Sequence, residues 1–158
     1  MKIMTVFGTR PEAVKMAPVI KRLEAEPDVT PVIVTTGQHH LMLQQVLDIF
    51  GIRPDYDLKI MGRQQTLSDI TTKVIIGLDG VLEKERPDLV LVHGDTTTTM
   101  AASLSAFYHR IPVGHVEAGL RTWNKYSPYP EEMNRMLTDD IADLYFAPTR
   151  LSRTNLLK

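Results

Sequence analysis

The sequence predicts an α/β fold, a parallel sheet in a middle layer with helices packed on both faces. Three observations carry this expectation. Segments of strand and helix periodicity alternate along the whole chain, the order expected of strands joined by helical crossovers. Leu89-Val90-Leu91-Val92 is an unbroken apolar run between Pro87-Asp88 and Gly94, as in a strand buried on both faces. After Gly94 the pattern becomes helical through Met100, Leu104 and Phe107. Asp95 and the threonines Thr96 to Thr99 therefore fall at the carboxyl end of a strand, where open α/β sheets bind ligands.

The elements follow in order. Ile3 to Phe7 reads as the first strand, and Gly8-Thr9-Arg10-Pro11-Glu12 turns into a helix. Thr9 stands three residues before Glu12, the capping-box spacing, and Pro11 lies in the first turn, where its missing N–H is harmless. Val14, Ala17, Val19-Ile20 and Leu23 supply that helix's expected apolar face, and Pro27-Asp28 closes it. Val29 to Thr35 is β-branched and reads as the second strand. Gln38-His39-His40 opens a helix with Leu43, Val46, Leu47 and Phe50 on one side and Gly51 at its end. Asp55 to Ile60 is expected as a short strand, and Thr66 to Glu85 as a helix interrupted by Gly77 and Gly80. Beyond the central strand, Pro112 to Val116 makes the next one, ending at Glu117-Ala118-Gly119-Leu120-Arg121. A polar, aromatic loop from Thr122 to Tyr129 precedes a helix from Pro130-Glu131-Glu132. Asp143 to Ala147 reads as a last short strand, and the helix begun by Pro148-Thr149 is expected to run on through Lys158, as in a fragment cut at a domain boundary.

The chain of 158 residues, 43% apolar and 23% charged, suits one globular domain, residues 1–158. A net charge of −1 gives no reason to expect nucleic acid or an anionic membrane as partner. Cysteine is absent, which excludes disulfides, thiolate metal sites and cysteine nucleophiles. The amino terminus runs straight into a strand without a signal-peptide pattern, and no apolar run approaches transmembrane length, so a cytoplasmic location is expected.

Residues with chemical potential cluster where strands give way to helices. At the first such junction a glycine turn, a helix amino terminus and Arg10 favour an anion, with Lys15 further along the helix. The pattern is neither the dinucleotide fingerprint nor a Walker loop, and a capped helix with solvated Arg10 and Lys15 explains it equally well. His39 and His40 point about 100° apart on a helix, which argues against one shared metal ion, and no metal site is expected. Taken alone, Asp95 reads as a helix N-cap, and Glu131 and Glu132 as acids favoured at a helix start. Asp95, Glu117 and Glu131 nonetheless all fall at carboxyl-end junctions of one parallel sheet, so they are expected to converge on one rim. Crowded there, carboxylates raise one another's pKa, leaving one to donate and another to accept a proton. Arg121 and Arg135 are candidates to bind phosphate or balance these acids.

Gly8-Thr9-Arg10-Pro11-Glu12, His93-Gly94-Asp95-Thr96-Thr97-Thr98, Gly114-His115-Val116-Glu117-Ala118-Gly119-Leu120-Arg121 and Pro130-Glu131-Glu132-Met133-Asn134-Arg135 together resemble the non-hydrolysing UDP-N-acetylglucosamine 2-epimerase family. The resemblance covers the amino-terminal half of such an enzyme. It implies a Rossmann-like domain, the first of two in a glycosyltransferase-B arrangement with substrate between them. It further implies interconversion of UDP-N-acetylglucosamine and UDP-N-acetylmannosamine through loss of the C2 proton and of UDP, via 2-acetamidoglucal. By motif position Asp95, Glu117 and Glu131 match the family's catalytic carboxylates, and Arg10 and Lys15 match residues tied to nucleotide binding or activity. The family's catalytic histidine and much of its uridine and phosphate binding would lie beyond Lys158, so this chain alone is expected to fold without turning over substrate. No cofactor is implied, and the intact enzyme is implied to be a homodimer. Bacterial relatives also carry an allosteric site for a second UDP-N-acetylglucosamine, whose pattern Gln38, His39 and Glu131 match. Leu41 stands there in place of a glutamine and Gln64 in place of an arginine, with Arg63 beside it.

Three further readings share these residues. A glycosyltransferase of the same architecture would need an acceptor, whereas an epimerase reacts with the donor alone. A hydrolysing epimerase would release UDP and free N-acetylmannosamine. A non-catalytic nucleotide-sugar binding domain would need cations and amides at these junctions but not acids.

Overall fold

The computed structural model describes residues 1–37, 40–60, 62 and 64–158, with the side chains of His40 and Leu41 excepted. Strands and helices alternate as β1 (Lys2–Phe7), α1 (Arg10–Glu24), β2 (Thr30–Thr35), α2 (His40–Phe50), β3 (Tyr56–Asp57), α3 (Leu67–Glu85), β4 (Leu89–His93), α4 (Thr97–Tyr108), β5 (Val113–Val116), α5 (Glu131–Ile141), β6 (Leu144–Phe146) and α6 (Arg150–Leu156). All strand pairs are parallel, in the order β3-β2-β1-β4-β5-β6. The order reverses between β1 and β4, and in such sheets ligands bind outside the carboxyl ends at that reversal.

The two-residue alternation of the strands builds two cores. Met4, Val6, Val90 and Val92 face α3 and α4, packing on Val74, Leu78, Leu82, Ala101, Ala102 and Ala106. Ile3, Phe7, Leu89 and Leu91 face the opposite way, onto Ala13, Met16, Ala17 and Ile20 of α1 and Leu43, Val46 and Leu47 of α2. The expected three-layer α/β fold, helices on both faces of a parallel sheet, is therefore present. No helix among the described residues is long and apolar enough to cross a membrane.

Several local expectations change. The buried stripe of α1 is Ala13, Met16, Ala17 and Ile20, a regular i, i+3, i+4, i+7 set, and Val14 faces solvent instead. Phe50 likewise lies on the exposed side of α2. Only Tyr56–Asp57 of the expected 55–60 strand pairs with the sheet, at its edge beside β2. The helix α3 runs unbroken past both glycines. Gly77 is small because Leu58 lies against it: a Cβ there would come within 3.2 Å of the Leu58 Cδ1 atom. In α4 the buried positions are not the large residues but Thr97, Thr98, Thr99, Ala101, Ala102, Ser103, Ser105 and Ala106, while Phe107 is exposed. Small side chains let α4 sit closely between α3, α5 and the sheet, so its interior face is set by backbone approach rather than bulk. The last helix stops at Leu156, with its cap at Leu157, rather than running through Lys158.

Candidate functional site

The site is built at the carboxyl ends of β4 and β5. After His93 the chain turns through Gly94 at a φ of +74°, a conformation that glycine adopts without steric penalty, and the Gly94 N–H donates to the Val116 carbonyl at 2.9 Å. The N-cap of α4 is Thr96, whose hydroxyl accepts the Thr99 N–H at 3.1 Å. Asp95 is therefore not the cap that local pattern predicts. One residue earlier, its carboxylate is free to face α5, where Arg135 donates to it at 2.7 Å.

Arg135, only 2% exposed, joins two junctions that lie 22 residues apart. Its Nη2 lies 2.7 Å from the Asp95 carboxylate and 3.7 Å from that of Glu117, and its Nη1 donates to the Glu117 carbonyl. Lys15, in the second turn of α1, reaches across to the other Glu117 oxygen at 2.5 Å. Glu117 itself has a φ of +67°, a left-handed conformation uncommon outside glycine and concentrated at functional positions. The Asn134 amide donates to the Asp95 carbonyl at 3.0 Å and contacts the Thr97 hydroxyl at 3.3 Å, fixing α5 to the same turn.

Electrostatics follow from this packing. Burial opposes charging the His93 imidazole, and the Lys15 and Arg135 cations add to that; against the pull of Glu117, they lower its pKa to about 4. Neutral at neutral pH, His93 sits with Nε2 3.8 Å from Glu117, and its Nδ1 has no hydrogen-bond partner among the described residues. Burial would raise the Glu117 carboxyl, but the Lys15 hydrogen bond and the neighbouring positive charges outweigh it and hold the group below the ordinary carboxylate range. At neutral pH, where His93 is uncharged, Lys15 and Arg135 are the cations facing Glu117.

The sequence-predicted residues separate into those brought together and those left apart. Asp95 and Glu117 meet on Arg135, and Lys15 joins them. Arg135 thus fulfils the expectation of a balancing cation. Arg121 does not: it lies 3.5 Å from both Glu132 and Asp139. Glu131 opens α5 half-buried, one turn before Asn134 and Arg135 on the same helical face, but forms no hydrogen bond or ion pair among the described residues. Its neighbour Glu132 turns inward and accepts the Thr122 and Trp123 N–H groups at 3.1 and 3.0 Å, which anchors the loop before α5.

Arg10 is exposed and unpaired among the described residues. The turn before α1 does not offer its Gly8 and Thr9 N–H groups to an anion, because Glu12 takes them. This buried carboxylate accepts the Gly8 and Thr9 N–H groups at 2.9 and 2.6 Å and the Thr96 and Thr99 hydroxyls at 2.7 and 3.2 Å. Two of the four threonines therefore point at Glu12 and not at the open rim. Gln64 is exposed, with a φ of +53°, and forms no hydrogen bond or ion pair among the described residues. Gln38 and His39 lie outside the described residues. Among the described residues no group of three or more His, Cys, Asp or Glu side chains could hold a metal ion.

Sequence reasoning missed His93, His115 and Asn134. His93 ends one apolar strand and His115 interrupts another; His115 finds a polar partner for each ring nitrogen, whereas His93 lies beside Glu117. Asn134 and Arg135 follow Glu131 at helical spacing of three and four, which places all of them on one face.

A family model described as UDP-N-acetylglucosamine 2-epimerase matches residues 21–158. The chain belongs to this family. It is 60% identical over its whole length to the UDP-N-acetylglucosamine 2-epimerase of Bacillus subtilis and 60% identical over 157 residues to that of Neisseria meningitidis. Each match spans 42% of the relative's length, its amino-terminal part. The crystal structure of the Neisseria 2-epimerase, bound to UDP-GlcNAc, superposes with a TM-score of 0.97 over 99% of this chain and 42% of that one. An archaeal 2-epimerase from Methanocaldococcus jannaschii, in complex with UDP-GlcNAc and UDP, is 40% identical with a TM-score of 0.92, over 99% of this chain and 43% of that one. A Streptomyces glycosyltransferase at 15% identity and a TM-score of 0.53 shares the fold alone. The domain thus has the Rossmann-like fold of the amino-terminal part of these 2-epimerases, a fold that the glycosyltransferase shares.

Proposed function

We propose that this chain is the amino-terminal half of an enzyme that interconverts UDP-N-acetylglucosamine and UDP-N-acetylmannosamine. The observation that carries the reading is the gathering of Asp95 and Glu117 on one buried arginine, with Lys15 alongside, at the sheet's topological switch point. The C2–H of the sugar is a weak acid and needs a positioned base, and reprotonation on the opposite face needs a positioned acid. Asp95, Glu117 and Glu131 are the groups assigned to these transfers. As the C2 proton leaves, the C1–O bond to UDP breaks and UDP departs with the bonding pair, leaving 2-acetamidoglucal. UDP oxygen then attacks C1 while C2 regains a proton from the other side. Charge builds on the departing pyrophosphate, and Arg10 and Lys15 supply cations for it. Glu12 supports this division of labour: it takes the Gly8 and Thr9 N–H groups of the turn before α1, which leaves side chains to meet the phosphates. The remaining catalytic and uridine-binding groups would come from a carboxyl-terminal domain, and the complete enzyme would work as a cytoplasmic homodimer.

Hydrogen exchange at sugar C2 tests the reading. The complete enzyme, given UDP-N-acetylglucosamine alone in deuterated solvent, should incorporate deuterium at C2. Replacing Asp95 or Glu131 by its neutral amide, or Glu117→Gln, should slow this at least about 100-fold, the usual lower bound for a lost general acid or base. Wild-type exchange in all of these variants would refute the assignment. Exchange that requires an acceptor would indicate a glycosyltransferase, and release of free N-acetylmannosamine a hydrolysing enzyme.

A further inference from the structure

His115 is wholly buried in β5, two residues before Glu117. Its Nδ1 lies 2.6 Å from the Asp139 carboxylate and its Nε2 lies 2.6 Å from the Gly94 carbonyl oxygen. A carbonyl only accepts, so Nε2 must carry a proton, whichever side holds the proton shared with Asp139. Gly94 is the residue that turns the chain into Asp95. Asp139 lies four residues after Arg135 on α5, so one helical face contributes Arg135 to the Asp95 carboxylate, Asn134 to the Asp95 carbonyl and Asp139 to the histidine behind Gly94. Around Asp139, its backbone carbonyl accepts the Tyr145 hydroxyl at 2.9 Å and the Arg121 guanidinium lies 3.5 Å from its second, buried carboxylate oxygen.

From this geometry we infer that His115 is a positioning residue: its Nε2–H, oriented by Asp139, locks the Gly94 carbonyl and thereby aims the Asp95 carboxylate at the sugar. The inference rests on the catalytic assignment of Asp95 above. It differs from a purely structural role because its whole effect passes through one hydrogen bond and one carboxylate. A glutamine side chain can place an amide N–H near the Nε2 position, whereas an asparagine is too short to reach Gly94.

The test uses the complete enzyme. His115→Asn should lower kcat by about 10- to 100-fold, the scale of a misplaced reacting group. KM for UDP-N-acetylglucosamine should stay within about threefold, since ground-state binding is not the interaction removed. His115→Gln should recover most of the loss. In an Asp95→Asn background, His115→Asn should add almost nothing, because the residue it positions is gone. Equal losses in the Asn and Gln variants, or a full further loss in the Asp95→Asn background, would overturn the inference. If the asparagine variant fails to fold, the histidine tautomer of the unmodified enzyme decides the matter by nitrogen-15 NMR: a protonated Nε2 is required, and a bare Nε2 overturns it. An Asp95→Asn enzyme with undiminished C2 exchange would instead sink the catalytic assignment.

Discussion

Removing Arg135 gives the sharpest test of how the site is held. In Arg135→Met the methionine fills much of the same buried space but leaves Asp95 without its cation, Glu117 with Lys15 only, and the Glu117 carbonyl without a donor. Breaking a fully buried pair by deleting one partner costs about 3–5 kcal/mol. Here the Asp95 side chain is 35% exposed and that of Glu117 21%, so water takes over part of the lost solvation. A loss of about 2–3 kcal/mol is expected, between the surface and buried limits. For a domain of this size each kcal/mol moves the midpoint by about 2–4 °C, so Tm of the 158-residue chain should fall by about 5–10 °C in circular dichroism melts at pH 7. Arg135→Lys should recover only part of this, since a point charge cannot serve two carboxylates and a carbonyl at once. Asp95→Asn should destabilise the wild-type background, where it deletes a pair, and stabilise the Arg135→Met background, where it removes an orphaned charge. A Tm within about 2 °C of wild type for Arg135→Met, or the same sign for Asp95→Asn in both backgrounds, would refute the account.

Two further expectations concern stability. His93 titrates near 4 in the folded chain against 6.5 unfolded, so the unfolded state binds more protons between these values. Its contribution is complete above pH 6.5 and is lost as pH falls towards 4, amounting to about 3 kcal/mol at most. Glu117, also depressed, acts in the same direction but at lower pH, below its unperturbed 4.5. Urea unfolding at pH 7, 5.5 and 4.5 should therefore show a shallower loss in His93→Gln than in wild type; parallel curves would contradict the assignment. Gly80 and Gly119 should respond to alanine with opposite signs. A Cβ at Gly80 meets nothing within 4 Å in the middle of α3, so Gly80→Ala should stabilise by about 0.5–1 kcal/mol. Gly119, at a φ of +81°, would thrust its Cβ into the Ser152 carbonyl and within 2.7 Å of Leu156, so Gly119→Ala should lose about 2 kcal/mol or more and loosen α6. Denaturation midpoints of the two variants read out both signs.

The layered fold could be read from the chain itself, because strand and helix periods alternate and the Leu89 to Val92 run is apolar on both sides. Those signals are local, and burying them leaves few topologies open. Local rules misplaced what depends on neighbours. Val14 and Ala13 differ little in local helical context, and only the sheet beneath decides which one faces inward. Gly77 reads as a break until Leu58 is seen lying against it. Asp95 reads as a cap until Thr96 is found in that role.

At the site, the residue types between strand and helix are legible in the chain: Arg10, Asp95, Glu117 and Glu131 stand in the motifs shared with the family, and Lys15 follows within α1. Their connections come from the packing of distant segments. Arg135 spans Asp95 and Glu117, Lys15 crosses from α1 to Glu117, Glu12 withdraws into its own helix end, and His115 reaches back to Gly94. The reason is physical. Residue type is a property of a position, but a charge's partner, its burial and so its protonation depend on which distant segment the parallel crossovers bring to within a few ångströms.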